Sequence, residues 1–465
     1  MTNVRQLTEF VHVNAERSGV PGAAVGLWAD GKELFACHGV TSVENPVAID
    51  PHTLFILGSV TKTYTATALM RLVHQGVVDL NAPVRLYVPE LALADAKAAE
   101  EITVLHLLNH TSGLDWRIDV DTGEGDDALA REIHAMQKCT LIAAPGTRFS
   151  YSQAGYDLLG RLIERCTGTT YERAMDTLVF SPLGLTESFF SRDDIMTRRF
   201  AVGHKAEGGR VPTIARPWRH WRSDNPGGGL VSSAYDQIGW ARFHLTESRA
   251  DHGKILPFTA LHQMRVPTVS LKSSSLGDAL GIGWFLREIG GLRAFGHDGS
   301  ANGQFANLLV VPDAHFAIVA LSNIGPDAGM AFNRAVLSWA LEQFAGIVES
   351  KIQCEPYDPL RAKFVVGSYE NEMMVLHIAD DGQSLTIECK IKPEIRAVAA
   401  NQPPPDLPPA SFGFVPGADG GFLVTSGGLE GQRGHFTLSE SGRAKGLDLA
   451  GRYFEKIDPA GGRIA

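Results

Sequence analysis

The spacing of apolar residues changes along the chain, and the change separates regions of different fold class. Between residues 60 and 185 the apolar positions recur mostly at helical spacing, with stops expected at Gly76, Gly113, Gly160 and Gly168. Strand-like runs lie on both sides of this stretch, and beyond residue 350 short alternating strands are separated by Gly and Asp. The pattern predicts an α+β region followed by an all-β region.

Local signals place individual elements within these regions. Residues 4–18 have the apolar spacing of an amphipathic helix, and Asp30-Gly31 between two apolar stretches is typical of a β-hairpin. Phe305 to Val311 and Phe316 to Ser322 read as strands. With 465 residues and roughly 150 per domain, the length predicts two or three domains. The change of pattern divides the chain into one domain over residues 1–348 and one over residues 349–465.

Composition excludes several classes of function. The net charge is -10 and no block of Lys and Arg stands out, so nucleic acid is not an expected partner. No apolar run approaches the ~20 residues needed to cross a bilayer, and the N-terminal residues lack the continuous apolar segment of a secretory signal. We therefore expect a cytoplasmic chain without a membrane partner, whose five scattered cysteines are free thiols.

The first candidate for chemistry is Ser59-Val60-Thr61-Lys62, which follows Gly58 and opens a strongly periodic helix. Positions i and i+3 share a helix face, so the Lys62 amine is expected beside the Ser59 hydroxyl. A serine hydroxyl needs an adjacent base, and lysine serves as one only where its surroundings lower its pKa from about 10.4. The pattern predicts an activated nucleophile, although a solvated Ser/Lys pair in a first helical turn has the same spacing.

Two further sequence elements could supply groups that act together with Ser59 and Lys62. Tyr151-Ser152-Gln153 stands in a turn before an apolar helix, and a phenol near a cationic Lys62 could accept the serine proton. His297-Asp298-Gly299-Ser300 ends a strand that, at a sheet edge, could lie along an acyl substrate. The backbone N–H groups of Ser59 and Ser300 would then bind an oxyanion. A tyrosine packed under a loop and a surface hairpin are the structural alternatives.

Together, SVTK, YSQ and HDG resemble the three motifs of the serine β-lactamase-like and penicillin-binding-protein-like family. The tyrosine in the second motif is typical of class C β-lactamases, D,D-carboxypeptidases, D-aminopeptidases and related esterases. The stretches LLNHTSGL, PLGL and GGLVSS also match family patterns, and the resemblance covers roughly residues 5–345. It implies an antiparallel sheet flanked by helices with a helical subdomain, and the C-terminal strands resemble the lipocalin-like barrel of some relatives.

The resemblance also implies roles for these residues. Ser59 would be the acylated nucleophile, Lys62 its proton partner, and Tyr151 the base or acid at the leaving group. His297 would occupy the third-motif position, with Gly299 and Ser300 beside the substrate. Gln153 replaces the usual asparagine and is one methylene longer. Because an imidazole with a pKa near ~6.5 is mostly neutral at pH 7, His297 offers a weaker charge for a β-lactam carboxylate than the lysine of β-lactamases.

The expected function is therefore a serine hydrolase that cleaves an ester, amide or small peptide, possibly one containing D-amino acids. One alternative is an acyltransferase or peptide-cyclising thioesterase with the same acyl-enzyme, and another is a non-catalytic acyl-binding sensor. Arg452 is a candidate for binding a substrate carboxylate, against the alternative of an ordinary surface residue. His106 and His110 have the i, i+4 spacing of a zinc pair, but no third ligand is apparent, and neither a metal nor a cofactor is expected.

Overall fold

The computed structural model describes residues 4–116, 120–206, 211–218, 221–245, 255–325, 327–398 and 406–457. Its contacts form two compact units. The first comprises Met1–Arg148, Ser152–Thr268 and Leu280–Glu349, and the second comprises Phe149–Tyr151, Val269–Ala279 and Ser350–Ala465. Within the described residues, no helix is long and apolar enough to cross a membrane.

The helices, in chain order, are α1 (Val4–Ser18), α2 (Thr61–His74), α3 (Ala96–Glu101), α4 (Val104–Leu108), α5 (Ala128–Ala135), α6 (Gln153–Thr167), α7 (Tyr171–Met175), α8 (Ser181–Leu183), α9 (Arg192–Met196), α10 (Asn225–Gly228), α11 (Ala234–Leu245), α12 (Phe258–Gln263), α13 (Asp327–Ala340), α14 (Pro359–Val365) and α15 (Pro393–Val398). A 3₁₀ turn, Gly58–Val60, leads into α2, and π-helical turns follow α7 and α13.

The strands are β1 (Gly22–Ala29), β2 (Lys32–Gly39), β3 (Leu54–Ile56), β4 (Ser188–Phe189), β5 (His204–Lys205), β6 (Thr213–Ile214), β7 (Val231–Ser233), β8 (Val269–Ser270), β9 (Ala279–Leu280), β10 (Phe285–Ile289), β11 (Leu292–Ala301), β12 (Gln304–Val311), β13 (Phe316–Ser322), β14 (Ile324–Gly325), β15 (Gly367–Glu370), β16 (Met374–Asp380), β17 (Leu385–Ile391), β18 (Leu407–Phe414), β19 (Gly421–Val424), β20 (Arg433–Leu438), β21 (Ala444–Leu449) and β22 (Arg452–Ile457).

An antiparallel sheet forms the centre of the first unit, with the strand order β2-β1-β13-β12-β11-β10. Successive side chains of β1 point to opposite faces. Val25 packs in the cluster that contains α1 and α13, whereas Ala24 packs in the cluster that contains α2 and α11. Helices therefore cover both faces of the sheet, as the predicted α+β class requires.

The local predictions are confirmed, with two exceptions among the helix stops, because α4 already ends at Leu108, before Gly113. Asp30-Gly31 joins β1 to β2, and Gly168 ends α6 in a left-handed conformation. Gly160, expected to end a helix, lies inside α6 instead. A Cβ there would be 2.1 Å from Cγ of Pro226, so the glycine permits close packing rather than stopping the helix.

The second unit contains a closed barrel in which β15 to β22 pair in sequence order, all antiparallel. The predicted small all-β barrel is confirmed. Its interior is filled by aliphatic side chains and by a group of aromatic rings whose centroids lie 4.9–6.4 Å apart, Tyr369, Phe412, Phe414, Phe422 and Phe436. The interior is therefore a packed hydrophobic core.

Candidate active site

Ser59 lies in the 3₁₀ turn between β3 and α2, and neighbouring hydrogen bonds fix this turn. The Leu57 N–H donates to the carbonyl of Leu230 (2.9 Å), and Thr61 Oγ1 donates to the carbonyl of Gly58 (2.6 Å). The same Thr61 oxygen accepts the N–H of Leu230 (3.1 Å). The half-buried Ser59 hydroxyl thus stands on a turn held by side-chain and backbone contacts.

Lys62 is completely buried in the first turn of α2. Its Nζ donates to Ser59 Oγ (3.2 Å), to Gln153 Oε1 (2.8 Å) and to the carbonyl of Gly227 (2.6 Å). A buried ammonium group is costly unless its donors are satisfied, and an ammonium has three N–H donors. Ser59 and Lys62 are close together, as predicted. Gln153 and Gly227, which are distant in sequence, supply the other two acceptors of the amine.

Gly227 belongs to α10, a short helix that is itself anchored to its surroundings. The carbonyl of Pro226 accepts from Thr65 Oγ1 (2.6 Å), one turn along α2 from Lys62. Asn225 Nδ2 donates to Glu172 Oε1 (2.7 Å), and Arg222 donates to both oxygens of the same carboxylate (3.0 Å each). These bonds fix the position of the Gly227 carbonyl, which accepts a hydrogen bond from Lys62 Nζ.

The second motif lies at the start of α6. Ser152 caps this helix, since its Oγ accepts the N–H of Gly155 (3.1 Å), and its own N–H donates to Nδ1 of His110 (3.1 Å). Gln153 is buried. Tyr151, directly before the cap, is only 7% exposed and belongs to the second unit, where its N–H donates to the carbonyl of Gly451 (2.8 Å).

The third motif lies on β11, a strand with a neighbour on each side for part of its length. It pairs with β10 from Leu292 to Gly296 and with β12 from Phe295 to Ala301. The pattern could not reveal this, because the pairing partners follow from the sheet order rather than from the strand itself. The part that carries the motif lies beyond the register shared with β10.

Backbone contact joins the first and third motifs. A Cβ on Gly299 would be 1.9 Å from the carbonyl oxygen of Leu57 and 2.8 Å from the nitrogen of Ser59. A Cβ on Gly58 would be 2.6–2.8 Å from backbone atoms of Ser300, including its nitrogen. Only glycine permits such close approach, so residues 299–300 lie directly against the turn of Ser59.

His297 is nearly inaccessible, with 3% of its surface exposed. Burial and the nearby charge of Lys62 lower its pKa to about 3. Its Nδ1 donates to the carbonyl of Asp298 (2.6 Å), which leaves the lone pair on Nε2. The third motif therefore presents a neutral, hydrogen-bond-accepting imidazole rather than a cation.

His110, whose spacing from His106 matched that of a zinc pair, is a buried neighbour of this network. Burial, and then the charge of Lys62, hold its pKa well below the usual value. Because Nδ1 accepts the Ser152 N–H, Nε2 carries the proton. His106 instead accepts the N–H of Thr103 through Nδ1 (3.3 Å), and the described residues contain no cluster that could hold a metal ion.

A cleft of about 110 Å³ opens beside Ser59. Its walls include Gln153 and Ser300, together with Trp116 and Trp221, which the sequence analysis did not single out. The two tryptophans belong to no recognised motif, so only the folded structure shows that they line this cleft.

The remaining predicted substrate ligand, Arg452, begins β22 and pairs with Leu449 in the barrel. Its role in substrate binding stays a prediction. All five cysteines are free, as predicted.

Comparisons with known proteins agree with the motifs. The family model described as Beta-lactamase matches residues 3–341. Penicillin-binding protein 4 of Amycolatopsis lactamdurans is 34% identical over 359 residues, which cover 76% of this chain and 94% of that protein.

Solved structures extend the similarity to the barrel. A crystal structure of SurE matches with a TM-score of 0.74 and 25% identity over 98% of this chain and 99% of that one. SurE with D-Leu gives a TM-score of 0.72 and 26% identity at the same coverage. The octameric penicillin-binding protein homologue from Pyrococcus abyssi shares the fold, with a TM-score of 0.64 and 22% identity over 97% of this chain and 99% of that one. The chain therefore belongs to the β-lactamase family, whose fold supports serine hydrolases that act on acyl bonds.

Proposed function

We propose that the protein forms an acyl-enzyme on Ser59 and transfers the acyl group to water, cleaving an ester, an amide or a small peptide. The observation that carries this proposal is the 3.2 Å contact between Lys62 Nζ and Ser59 Oγ beside an open cleft. A reactive serine needs a proton acceptor within hydrogen-bond reach, and Lys62 satisfies that condition.

The contacts of Lys62 suit both of its charge states. As an ammonium it donates to Ser59, Gln153 and Gly227. As a neutral amine it still donates to the two carbonyl oxygens, and its lone pair faces Ser59 and accepts the hydroxyl proton. The proton can therefore move from Oγ to Nζ without rearrangement of the other two contacts.

In the proposed reaction, Ser59 Oγ attacks the acyl carbon while its proton passes to Lys62 or to Tyr151. The N–H groups of Ser59 and Ser300 stabilise the oxyanion, which is supported by the close backbone approach of their two segments. Collapse of the intermediate expels the leaving group, which takes the proton. Water then attacks the ester on Ser59 and releases the acid, which regenerates the hydroxyl.

The neutral His297 bears on the substrate class. A neutral imidazole supplies no positive charge to hold a carboxylate, so we infer that substrate binding does not depend on a carboxylate at this position. β-Lactam antibiotics carry a carboxylate, so we do not propose their hydrolysis as the main activity.

The test is a panel of p-nitrophenyl esters, D- and L-amino acid amides and a chromogenic cephalosporin, assayed with the wild type and Ser59→Ala. We expect turnover of one of the first two classes, and a loss of at least about 10³-fold in the variant. Equal rates for wild type and variant on every substrate would refute the proposal.

A second candidate is acyl transfer to an amine, including cyclisation of a peptide. It would use the same acyl-enzyme on Ser59, and the match to the structure of SurE with D-Leu suggests a D-residue in the substrate. Product analysis with and without an added amine separates the two candidates. An amide or cyclic product at the expense of the free acid would replace hydrolysis by transfer.

A further inference from the structure

A buried carboxylate lies next to the catalytic network without touching the proposed nucleophile. Asp157 is four residues after Gln153 on α6 and is completely buried. Gln153 Nε2 donates to Asp157 Oδ1 (3.0 Å), while Gln153 Oε1 accepts from Lys62 Nζ (2.8 Å). The amide of Gln153 therefore connects a buried acid to the buried lysine.

The Lys62 end fixes the orientation of this amide. An ammonium only donates hydrogen bonds, so its partner on Gln153 is the oxygen. Gln153 must then direct its NH₂ group at Asp157 and its oxygen at Lys62. The other acceptor near Nε2 is the carbonyl of Asp224, at 3.4 Å, which is a weak contact. Asp157 is thus the stronger of the two groups that fix the amide.

The long side chain of Gln153 occupies space that is free because Gly227 has no side chain. A Cβ on Gly227 would lie 1.9 Å from Gln153 Nε2 and 2.3 Å from its Oε1. The same glycine supplies the carbonyl that accepts from Lys62. The side chain is consequently enclosed between Gly227 on one side and its own helix, with Asp157, on the other.

From this geometry we propose that Asp157 is a positioning residue, which fixes the Gln153 amide so that Lys62 Nζ is held against Ser59 Oγ. This proposal rests on the function proposed above. Asp157 itself contacts neither the substrate nor the reacting atoms. It acts only through Gln153, and this dependence is what the experiment measures.

The experiment measures the rate at which a fluorophosphonate modifies Ser59 of the full chain, as a proxy for acylation, resolved into the maximal rate and the half-saturating concentration; the Ser59 oxygen bonds to phosphorus and fluoride leaves. In Asp157→Asn the side-chain oxygen can still accept from Nε2, so we expect a rate within about threefold of the wild type. In Asp157→Ala the acceptor is lost, and we expect a maximal rate roughly 10- to 30-fold lower with the half-saturating concentration unchanged.

A double-mutant cycle separates positioning from a general effect on folding. In a Gln153→Ala background, Asp157→Ala should change the rate by less than about twofold, because the hydrogen bonds that connect Asp157 to Lys62 through Gln153 are already lost. Glu164→Gln is the matched control: Glu164 is a buried carboxylate on the same helix that bonds Arg161 (2.9 Å) and the N–H of Tyr171 (3.2 Å). This control should acylate at the wild-type rate.

Each outcome has one meaning. The proposal is supported if the rate of Ser59 modification falls in Asp157→Ala, stays near the wild-type rate in Asp157→Asn, and falls no further when Asp157→Ala is added to Gln153→Ala. Independent losses that multiply in the double variant, or an Asp157→Ala variant as fast as the wild type, overturn it while Ser59 acylation stands. A wild type that is never acylated overturns the proposed function, and the positioning role with it.

Discussion

The surroundings of Ser59 and the interior of the barrel are both well packed, but they are packed with different chemistry. Around Ser59 the chain buries Lys62, His297, Gln153 and Asp157. Among the described residues, the buried polar and charged side chains all lie between Asn14 and Asn333, and the barrel core is aliphatic and aromatic.

The two regions differ in the free energy of burying their side chains. Apolar burial stabilises a fold by roughly 25 cal/mol per Å², whereas a buried polar group costs free energy unless it is fully hydrogen-bonded. The barrel core relies mainly on the favourable term, and the hydroxyl of its buried Tyr369 donates to the carbonyl of Val365. The site near Ser59 instead depends on hydrogen bonds to its buried polar groups, such as those from Lys62 to Ser59, Gln153 and Gly227.

The largest effect is expected from removing the buried charge of Lys62. Lys62→Met keeps a long side chain but leaves Gln153 Oε1 and the carbonyl of Gly227 without their donor. We expect acylation of Ser59 to fall by about 10³-fold. The fluorophosphonate rate measures this, with the exposed Lys97→Met as control. Wild-type acylation by Lys62→Met would remove lysine from the mechanism.

A cavity in the barrel should affect stability but not chemistry. Phe436 is fully buried among the aromatic rings, and Phe436→Ala should cost the barrel about 3–5 kcal/mol of unfolding free energy. Hydrogen exchange of β19 and β20 amides measures the loss, with the more exposed Phe364→Ala as control. The acylation rate should stay within about twofold. A cost below about 1 kcal/mol would mean that the barrel interior is not tightly packed.

A methyl group at one glycine tests the packing around the polar network. Gly227→Ala places a Cβ where Gln153 Nε2 now lies, and we expect acylation to fall roughly 10- to 100-fold because the amide must move. Gly228→Ala is a closely matched control, since the nearest heavy atom to its Cβ would be 3.9 Å away. Equal rates for the two variants would contradict the account.

The smallest effect concerns pH. The pKa of His297 is about 3 in the fold and near ~6.5 when unfolded, so its contribution to stability is complete above pH 6.5 and is lost as the pH falls toward 3. Between pH 6.5 and 5 this loss is about 1.5 kcal/mol. His297→Gln should reduce the pH dependence of unfolding by that amount, and the exposed His134→Gln should not. Identical pH profiles for wild type and His297→Gln would show that His297 titrates normally.

The parts of the molecule that could be predicted are those encoded locally. The Ser59 and Lys62 contact follows from helical spacing, and the barrel strands follow from alternation. Asp157 and the Gly227 carbonyl were missed because tertiary packing, not spacing, brings them to Lys62. The available signal was a charged residue four positions after Gln153, which places the two side chains on the same helix face.

The neutrality of His297 was foreseen only in part. A reference pKa near ~6.5 indicates a mostly neutral ring at pH 7. The much lower value comes from burial and from Lys62, which lies 235 positions earlier in the chain. Such long-range electrostatics cannot be read from a motif.

The most direct test of the central claim is intact-protein and peptide mass spectrometry after incubation with a fluorophosphonate. The account predicts one adduct per chain, located on the peptide that contains Ser59 and absent from Ser59→Ala. A wild type that stays unlabelled would contradict it and leave an acyl-binding sensor as the better description, and a label that persists in Ser59→Ala would contradict it by placing the reactive nucleophile elsewhere.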